Sequence, residues 1–145
     1  MSIDILENDW MKLSTKSEYA CLALIDLSEN LGQGYIKIED ICSRQDLPRK
    51  YIEQILLALK RAGYVKSRRG AEGGYMLAKK PEEISLAEII RLMDGALAPV
   101  ESASKYFYEC TPIEKNEVLI GIFREIRDYV SDKMENTSFA DLIVD

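Results

Sequence analysis

The sequence predicts a mostly α-helical protein with one small β-hairpin, arranged as a winged helix-turn-helix followed by a long C-terminal dimerisation helix. Two amphipathic helical segments are joined by a tight turn near residue 46. A glycine-rich stretch between two strand-like runs follows them, as is typical of a hairpin. After a fourth helix, a long apolar stripe with helical spacing extends from about residue 112 to 135. This order of elements favours a winged helix-turn-helix with one appended helix.

Composition argues against most enzyme classes. The 145-residue chain contains no histidine, which removes serine and cysteine triads and the commonest zinc ligand. Its three cysteines, Cys21, Cys42 and Cys110, are widely spaced, so we expect neither a disulfide framework nor a Cys-x-x-Cys metal motif. No apolar run is long enough to span a membrane, and the first ten residues do not resemble a secretory signal. The sequence therefore predicts a cytoplasmic protein that is not an enzyme.

Charge is distributed unevenly along the chain. The net charge is -6, yet the segment from Arg44 to Lys80 carries ten Lys or Arg residues against three Asp or Glu residues, a net charge of +7. The remainder carries 9 cationic and 22 anionic residues, a net charge of -13. One basic face on an acidic body is typical of a module that binds double-stranded DNA. The alternative is an uneven solvated surface without a function.

The first two helices are predicted from capping and periodicity. Thr15-x-x-Glu18 is a capping box at the start of the first helix, whose apolar positions are 20, 24, 27 and 31. A short second helix carries Ile38, Ile41 and Cys42 on one face. Cys42 is interpreted as a core thiol rather than a reactive one.

The third helix is predicted to be the DNA-recognition helix. After the turn at Asp46, Pro48 suits the first helical position, and the helix continues to about Ala62. One of its faces is apolar, and the other is mostly cationic or amide-bearing. Because the second helix of a helix-turn-helix enters the major groove, we expect DNA contacts from Arg44, Pro48, Arg49, Lys50, Tyr51, Gln54 and Lys60.

The glycine-rich stretch is predicted to be the tip of a basic wing. The runs "YVKSRR" and "YMLAKK" flank "GAEGG", and Gly63 ends the preceding helix. The glycines supply positive backbone dihedrals at the tip and allow a close approach of the backbone to another surface. Arginines of such a wing hold phosphates or enter a narrow minor groove. The expected wing contacts are Lys66, Arg68, Arg69, Gly70, Gly73 and Gly74.

The last third of the chain is predicted to carry a fourth helix, a loop and the long helix. Ser85-x-x-Glu88 starts the fourth helix and Gly95 ends it. Residues 96 to 110 lack periodicity and form a loop of unusual length. Thr111 and Pro112 then start a helix of about 35 Å that extends to about Glu135. The ending "TSFADLIVD" is either a docking segment or a frayed tail.

The long helix is predicted to mediate a homodimer. It is too long to serve one small core, and its apolar stripe is wide enough to pack on a partner chain. The alternative is that the stripe covers only its own domain. The dimerisation residues that we expect are Leu119, Ile122, Phe123, Ile126 and Val130.

Two motifs carry a family resemblance. The combination of Leu-Pro-x-x-Tyr-x-Glu-Gln from Leu47 and Arg-Gly-x-x-Gly-Gly-Tyr-x-Leu from Arg69 resembles the Rrf family of bacterial winged-helix regulators, which includes IscR, NsrR and CymR. The segment "MKLSTKSEYACLALIDLS" and the long last helix are similar as well. The resemblance implies a dimeric transcription regulator, most often a repressor, on a palindromic operator. It implies that Pro48 to Tyr51 start the recognition helix and that Arg68 lies in the wing with Arg69.

The resemblance also divides the chain into functional segments. Residues 1–10 precede the usual start and are expected to be an N-terminal extension. Residues 11–95 correspond to the DNA-binding domain, 96–111 to a sensor-type loop, and 112–145 to the dimerisation helix and C-terminal tail.

The cofactor expectation departs from much of the family. Many members ligate an iron–sulfur cluster through three cysteines in the loop after the fourth helix, whereas this loop holds only Cys110. Glu18 matches a position where some relatives offer an acidic ligand. We therefore expect no cofactor and no metal. The signal that the regulator senses stays open. Cys110, just before a helix N-terminus, is either a redox-active thiol or an ordinary loop cysteine. The other possibility is a protein or small-molecule effector. A winged-helix adaptor for proteins, without DNA binding, is the alternative function.

Overall fold

The computed structural model describes residues 13–95 and 112–144, and the predicted fold class is confirmed. The predicted extension 1–10 and the predicted loop 96–111 lie outside the described residues. In chain order the elements are α1 (Thr15–Glu29), α2 (Ile38–Gln45), α3 (Arg49–Arg61), β1 (Val65–Arg68), β2 (Gly74–Leu77), α4 (Leu86–Asp94) and α5 (Glu117–Glu135).

Helix α1 is the centre of the helical core, because α2, α3 and α4 all pack against it. Ala20, Leu24 and Leu27 on its inward face are buried. The fourth position of the predicted face, Leu31, is 54% exposed because the helix ends at Glu29. Apolar residues of α3 complete the core from the other side, namely Ile52, Ile55, Leu56 and Leu59.

Two predicted helix starts are wrong by one residue. Ser14, and not Thr15, caps α1, since its side-chain oxygen accepts a hydrogen bond of 3.1 Å from the backbone N–H of Ser17. Pro48 occupies the N-cap of α3 and not its first turn. The box that starts α4 is confirmed: the Ser85 and Glu88 side chains each accept from the backbone N–H of the other, at 3.2 and 2.8 Å.

The wing is a two-stranded antiparallel sheet with a short third pairing. Val65 pairs with Leu77 and Arg68 pairs with Gly74. Beyond β2, Ile36 exchanges two backbone hydrogen bonds of 2.7 Å with Tyr75, so the segment before α2 holds the wing against the helical part. The hairpin predicted from the glycine-rich stretch is therefore present and tied to the helix-turn-helix.

The last helix is shorter than predicted. Pro112–Lys115 is a 3-10 turn, and the α-helix starts only after it, with Asn116 as a cap that accepts from the backbone N–H of Leu119 at 3.0 Å. The predicted capping residue Thr111 lies outside the described residues. At 1.5 Å per residue, the helix is about 28 Å long instead of about 35 Å. None of the helices in 13–95 and 112–144 is long and apolar enough to cross a membrane.

The C-terminal residues dock on the core. Phe139 has no exposed surface, and its backbone N–H donates to the Ile84 carbonyl at 3.0 Å. The N–H of Leu86 donates to the carbonyl of Thr137 at 2.8 Å. Of the two alternatives for this segment, the structure supports docking.

We expect Phe139→Ala to lower the free energy of unfolding by about 3–5 kcal/mol, because it empties a fully enclosed aromatic site. The matched control is Val144→Ala, since Val144 is 86% exposed and its truncation removes almost no buried surface. Urea unfolding followed by circular dichroism measures both variants. Equal effects of the two substitutions would contradict the docked position of the C-terminal segment.

Candidate nucleic-acid interface

The outward face of α3 displays the predicted recognition residues. Its buried side chains face α1, so the opposite face of the helix is left to solvent. The N-terminal end of the α3 dipole is positive and favours a nearby anion. The first turn, which follows Pro48, contains no acidic residue that would repel one. The predicted contacts that lie exposed on or beside this helix are Pro48, Arg49, Lys50, Tyr51, Gln54 and Lys60.

Arg49 is held by two carboxylates in the free protein. Its Nη1 lies 2.8 Å from Glu39 Oε1 on α2, and its Nε lies 3.3 Å from Glu53 Oε1 one turn later on α3. All three side chains are more than half exposed, so these pairs contribute little stability. They orient the guanidinium without fixing it, and a DNA group can replace either carboxylate.

Tyr51 connects α3 to the start of α1. Its ring meets the ring of Tyr19 edge-on, with the centroids 5.5 Å apart. An open cavity of about 210 Å³ lies beside this contact. It is lined by Lys16, Tyr51, Gln54, Ile55, Ala58 and Met93.

Arg44, which the sequence predicts as a DNA contact, has a structural partner. Its Nε and Nη2 donate to the two carboxylate oxygens of Asp26 at 2.8 and 2.9 Å. The Asp26 side chain is 1% exposed, whereas that of Arg44 is 43% exposed. The hydrogen bond with Asp26 raises the pKa of the guanidinium further above its ordinary value. Two of the guanidinium nitrogens are thus occupied within the protein, and Arg44 holds α2 on α1.

The wing presents its cations to solvent. Lys66, Arg68 and Arg69 are all exposed. Gly70 adopts a φ of 103°, as the sequence analysis expected for the tip. Gly73 does not have a positive φ in the structure; a side chain there would instead collide with the Arg68 carbonyl. Both glycines let the hairpin close tightly.

Aromatic rings support two cations near the wing. The Arg68 guanidinium carbon lies 4.6 Å from the Tyr35 ring centroid, and Lys79 Nζ lies 4.6 Å from the Tyr64 centroid. Tyr64 also donates its hydroxyl proton to Glu88 at 3.1 Å. Burial and the Glu88 carboxylate raise the pKa of Tyr64, so the phenol stays a donor. The base of the wing is thereby tied to α4.

Of the two candidate sensor residues, the structure describes Glu18. Cys110 lies outside the described residues, and Glu18 is exposed in the first turn of α1. Burial raises the pKa of Cys21 to about 11, so its thiol is not ionised at neutral pH. Burial also raises the pKa of the Cys42 thiol, which is half-buried against the core. Within 13–95 and 112–144 no three His, Cys, Asp or Glu residues are grouped to hold a metal ion.

The stripe on α5 is left largely uncovered by the other residues that the structure describes. Leu119 and Ile122 are 39% and 48% exposed, and Tyr129, on the same side, is 75% exposed. The other predicted dimerisation residues, Phe123, Ile126 and Val130, are half-buried. The helix contacts mainly α4 and the 3-10 turn before it. Residues 13–95 and 112–144 thus leave much of its apolar surface exposed.

Sequence reasoning missed three residues that shape this interface. Asp26 stands within the apolar run "LALIDL", where a single carboxylate signals a buried ion pair. Tyr35 contacts Arg68, and Glu39 contacts Arg49. The members of each pair come together only in the folded chain, so no local sequence pattern indicates these contacts.

A family model and solved structures match nearly the whole chain. The model described as "Rrf2: Iron-dependent Transcriptional regulator" matches residues 13–145. The HTH-type transcriptional regulator CymR of Bacillus subtilis is 36% identical over 91% of this chain and 89% of its own length. The structure of B. subtilis CymR, titled "the Global Cysteine Regulator", superposes with a TM-score of 0.73 at 36% identity, covering 91% of this chain and 95% of the other. IscR of T. potens gives a TM-score of 0.72 at 30% identity, covering 91% and 85%.

These matches confirm the resemblance inferred from the motifs. They also confirm that the chain is a DNA-binding transcription regulator and not an enzyme, since the relatives are named as transcriptional regulators.

We expect Arg44→Met to destabilise the protein more than Asp26→Asn does. Removing the arginine leaves a nearly inaccessible carboxylate whose remaining side-chain donor among the described residues is Gln45, at 3.3 Å, and we expect a cost of about 3 kcal/mol. The asparagine variant leaves a partly exposed guanidinium that water can solvate, at a cost of about 1 kcal/mol. Urea unfolding of both variants measures the difference. The reverse order would contradict the structural role of Arg44.

Proposed function

The chain belongs to the Rrf2 family of transcription regulators, and from this premise we propose that it acts as a homodimer on a palindromic DNA operator, as a repressor. The observation that carries the proposal is the exposed cationic face of α3, followed along the chain by a wing whose cations are also exposed. Two such units, related by a two-fold axis, meet successive major grooves with half-site centres about 34 Å apart.

The recognition helix reads bases in this proposal. Base-reading residues of a helix-turn-helix lie near the start of its second helix, where Arg49, Lys50 and Tyr51 are exposed. Arg49 is suited to a bidentate contact with guanine. Its release from Glu39 and Glu53 costs little, because both pairs are solvent-exposed.

The wing supplies affinity that depends less on sequence. Lys66, Arg68 and Arg69 carry three positive charges, and phosphate contacts of this kind position a protein on the duplex. Neutralised phosphates release counterions, so affinity falls steeply as salt rises. A bacterial chromosome lies in the cytoplasm, and we place the protein there.

The partner chain covers α5 in this proposal. The apolar stripe borders the side that packs on α4, so a second copy of the helix can bury it while the contact with α4 remains. A two-fold interface is self-complementary, which a single helix face provides. Residues 112–145 then form the dimerisation segment and 11–95 the DNA-binding domain.

We propose further that the regulator works without an iron–sulfur cluster. A cluster needs several thiolates, whereas this chain has three cysteines, no histidine, and two of the thiols on separate helices, α1 and α2. The chain's own residues thus fit poorly to the iron dependence in the family description. Cys110 remains the candidate for a thiol input, and a protein or small-molecule effector is the other candidate.

We expect Arg49→Ala to relax sequence preference and Arg69→Ala to weaken binding to all duplexes alike. Loss of one bidentate base contact lowers the discrimination against a wrong base by about 1–3 kcal/mol. Loss of one phosphate contact instead lowers the salt slope, the slope of log affinity against log salt concentration, by about one. Fluorescence anisotropy on a duplex selected by the wild-type protein, and on a scrambled duplex, separates the two effects. The control is Lys133→Ala, which removes an exposed charge from α5.

Identical profiles of the Arg49 and Arg69 variants on the two duplexes would contradict these roles. If the wild-type protein selected no duplex and gave no footprint while its basic face bound an acidic protein, it would be an adaptor instead.

We expect Ile122→Asp to dissociate the dimer, because it places a charge in the proposed apolar interface. Arg124→Asp is the matched control, since Arg124 is exposed and projects away from the stripe. Sedimentation equilibrium should give a monomer mass for the Ile122 variant and a dimer mass for the control. A dimer mass for both variants would place the interface elsewhere.

A further inference from the structure

Arg68 lies across the wing instead of pointing freely into solvent. It is the last residue of β1, and its guanidinium stacks on the ring of Tyr35 at 4.6 Å. Tyr35 precedes Ile36, which pairs with Tyr75 of β2. The arginine and the ring therefore lie on opposite sides of β2, and the side chain crosses that strand to reach the ring.

Gly74 lets the segment that carries Tyr35 pack closely on β2. It is the cross-strand partner of Arg68 and also lies beside the backbone of Ile36. A Cβ at this position would collide with the backbone carbonyl of Ile36, and its φ of 147° is one that other residues rarely adopt. The glycine thus lets the Ile36 segment approach β2, which brings Tyr35 within reach of Arg68.

The ring holds the arginine without neutralising it. Arg44 is paired with Asp26, and Arg49 is shared between Glu39 and Glu53. No carboxylate in 13–95 or 112–144 forms a salt bridge with Arg68. An aromatic face attracts a cation through its quadrupole and leaves the net charge intact. Arg68 is therefore both oriented and fully charged.

We propose that Tyr35 is a positioning residue for DNA binding, which holds the Arg68 guanidinium extended across the wing so that it meets a DNA phosphate with its full charge. The inference rests on the DNA-binding role of the wing. The half-buried ring limits the rotamers that the arginine samples before binding, and an ordered side chain loses less entropy when it contacts the duplex.

The stacking energy sets the size of the effect. A cation–π contact at an exposed site corresponds to a change of about two- to fivefold in an equilibrium constant. Tyr35→Leu should weaken DNA binding by about that factor for each wing. The charge on Arg68 stays in this variant, so the slope of log affinity against log salt should not change.

The experiment is a double-mutant cycle of Tyr35→Leu and Arg68→Ala in the full chain. The probe is a labelled duplex that the wild-type protein selects from a random-sequence library, with binding followed by fluorescence anisotropy over a range of salt concentrations. We expect Tyr35→Phe to bind like the wild type because it keeps the ring. We expect Arg68→Ala to lower the salt slope by about one for each wing, and Tyr35→Leu to have no further effect in that background.

The outcomes distinguish the contact between Tyr35 and Arg68 from general wing stability and from DNA binding itself. If Tyr35→Leu weakens binding equally with and without Arg68, or if Tyr35→Phe fails to restore it, the tyrosine acts through general wing stability and the proposal fails. Arg68→Ala alone leaves the ring in place, so it tests the contact even if Tyr35→Leu misfolds, and an unchanged affinity and slope would overturn the proposal. If wild-type protein selects no duplex, the DNA-binding role itself fails.

Discussion

The burial of the Asp26 carboxylate is the constraint on which the helix-turn-helix depends. A charge with almost no access to water must be paired, and Arg44 supplies a bidentate partner from α2. Gln45, the last residue of α2, donates to the same carboxylate at 3.3 Å. The next residue, Asp46, has a φ of 55° and turns the chain toward α3. The ion pair on α1 therefore fixes the end of α2 from which α3 begins.

Three arginines, Arg44, Arg49 and Arg68, are held in three different electrostatic states. Arg44 is neutralised by a buried partner, Arg49 is balanced by exposed carboxylates, and Arg68 is oriented by a ring that leaves its charge intact. The desolvation cost of a partner sets how easily each guanidinium is released, so this order is also one of increasing availability to DNA. A count of positive charges along the segment treats all three alike. The local partner decides which of them serves the fold and which serves the interface.

The sequence predicts the element order well because periodicity, caps and glycines are local signals. The Ser85 box and the hairpin around Gly70 are such cases, and both are present. The sequence predicts the cap of α1 one residue late, at Thr15 instead of Ser14. Both residues offer a hydroxyl, and only the backbone geometry decides between them. The docking of Phe139 depends on contacts with residues about fifty positions earlier, which no window of sequence reports.

The end of α4 is hydrogen-bonded to the start of α1. Asp94, its last residue, accepts hydrogen bonds from the backbone N–H of Ser14 at 3.0 Å and from the hydroxyl of Ser17 at 2.7 Å. Burial by itself would raise the pKa of Asp94, but the bonds from these serines lower it, so the acceptor is a charged carboxylate at neutral pH. The start of α1 in turn contacts α3 through the rings of Tyr19 and Tyr51. A displacement of Asp94 must therefore strain a charged hydrogen-bonded link before it reaches α3.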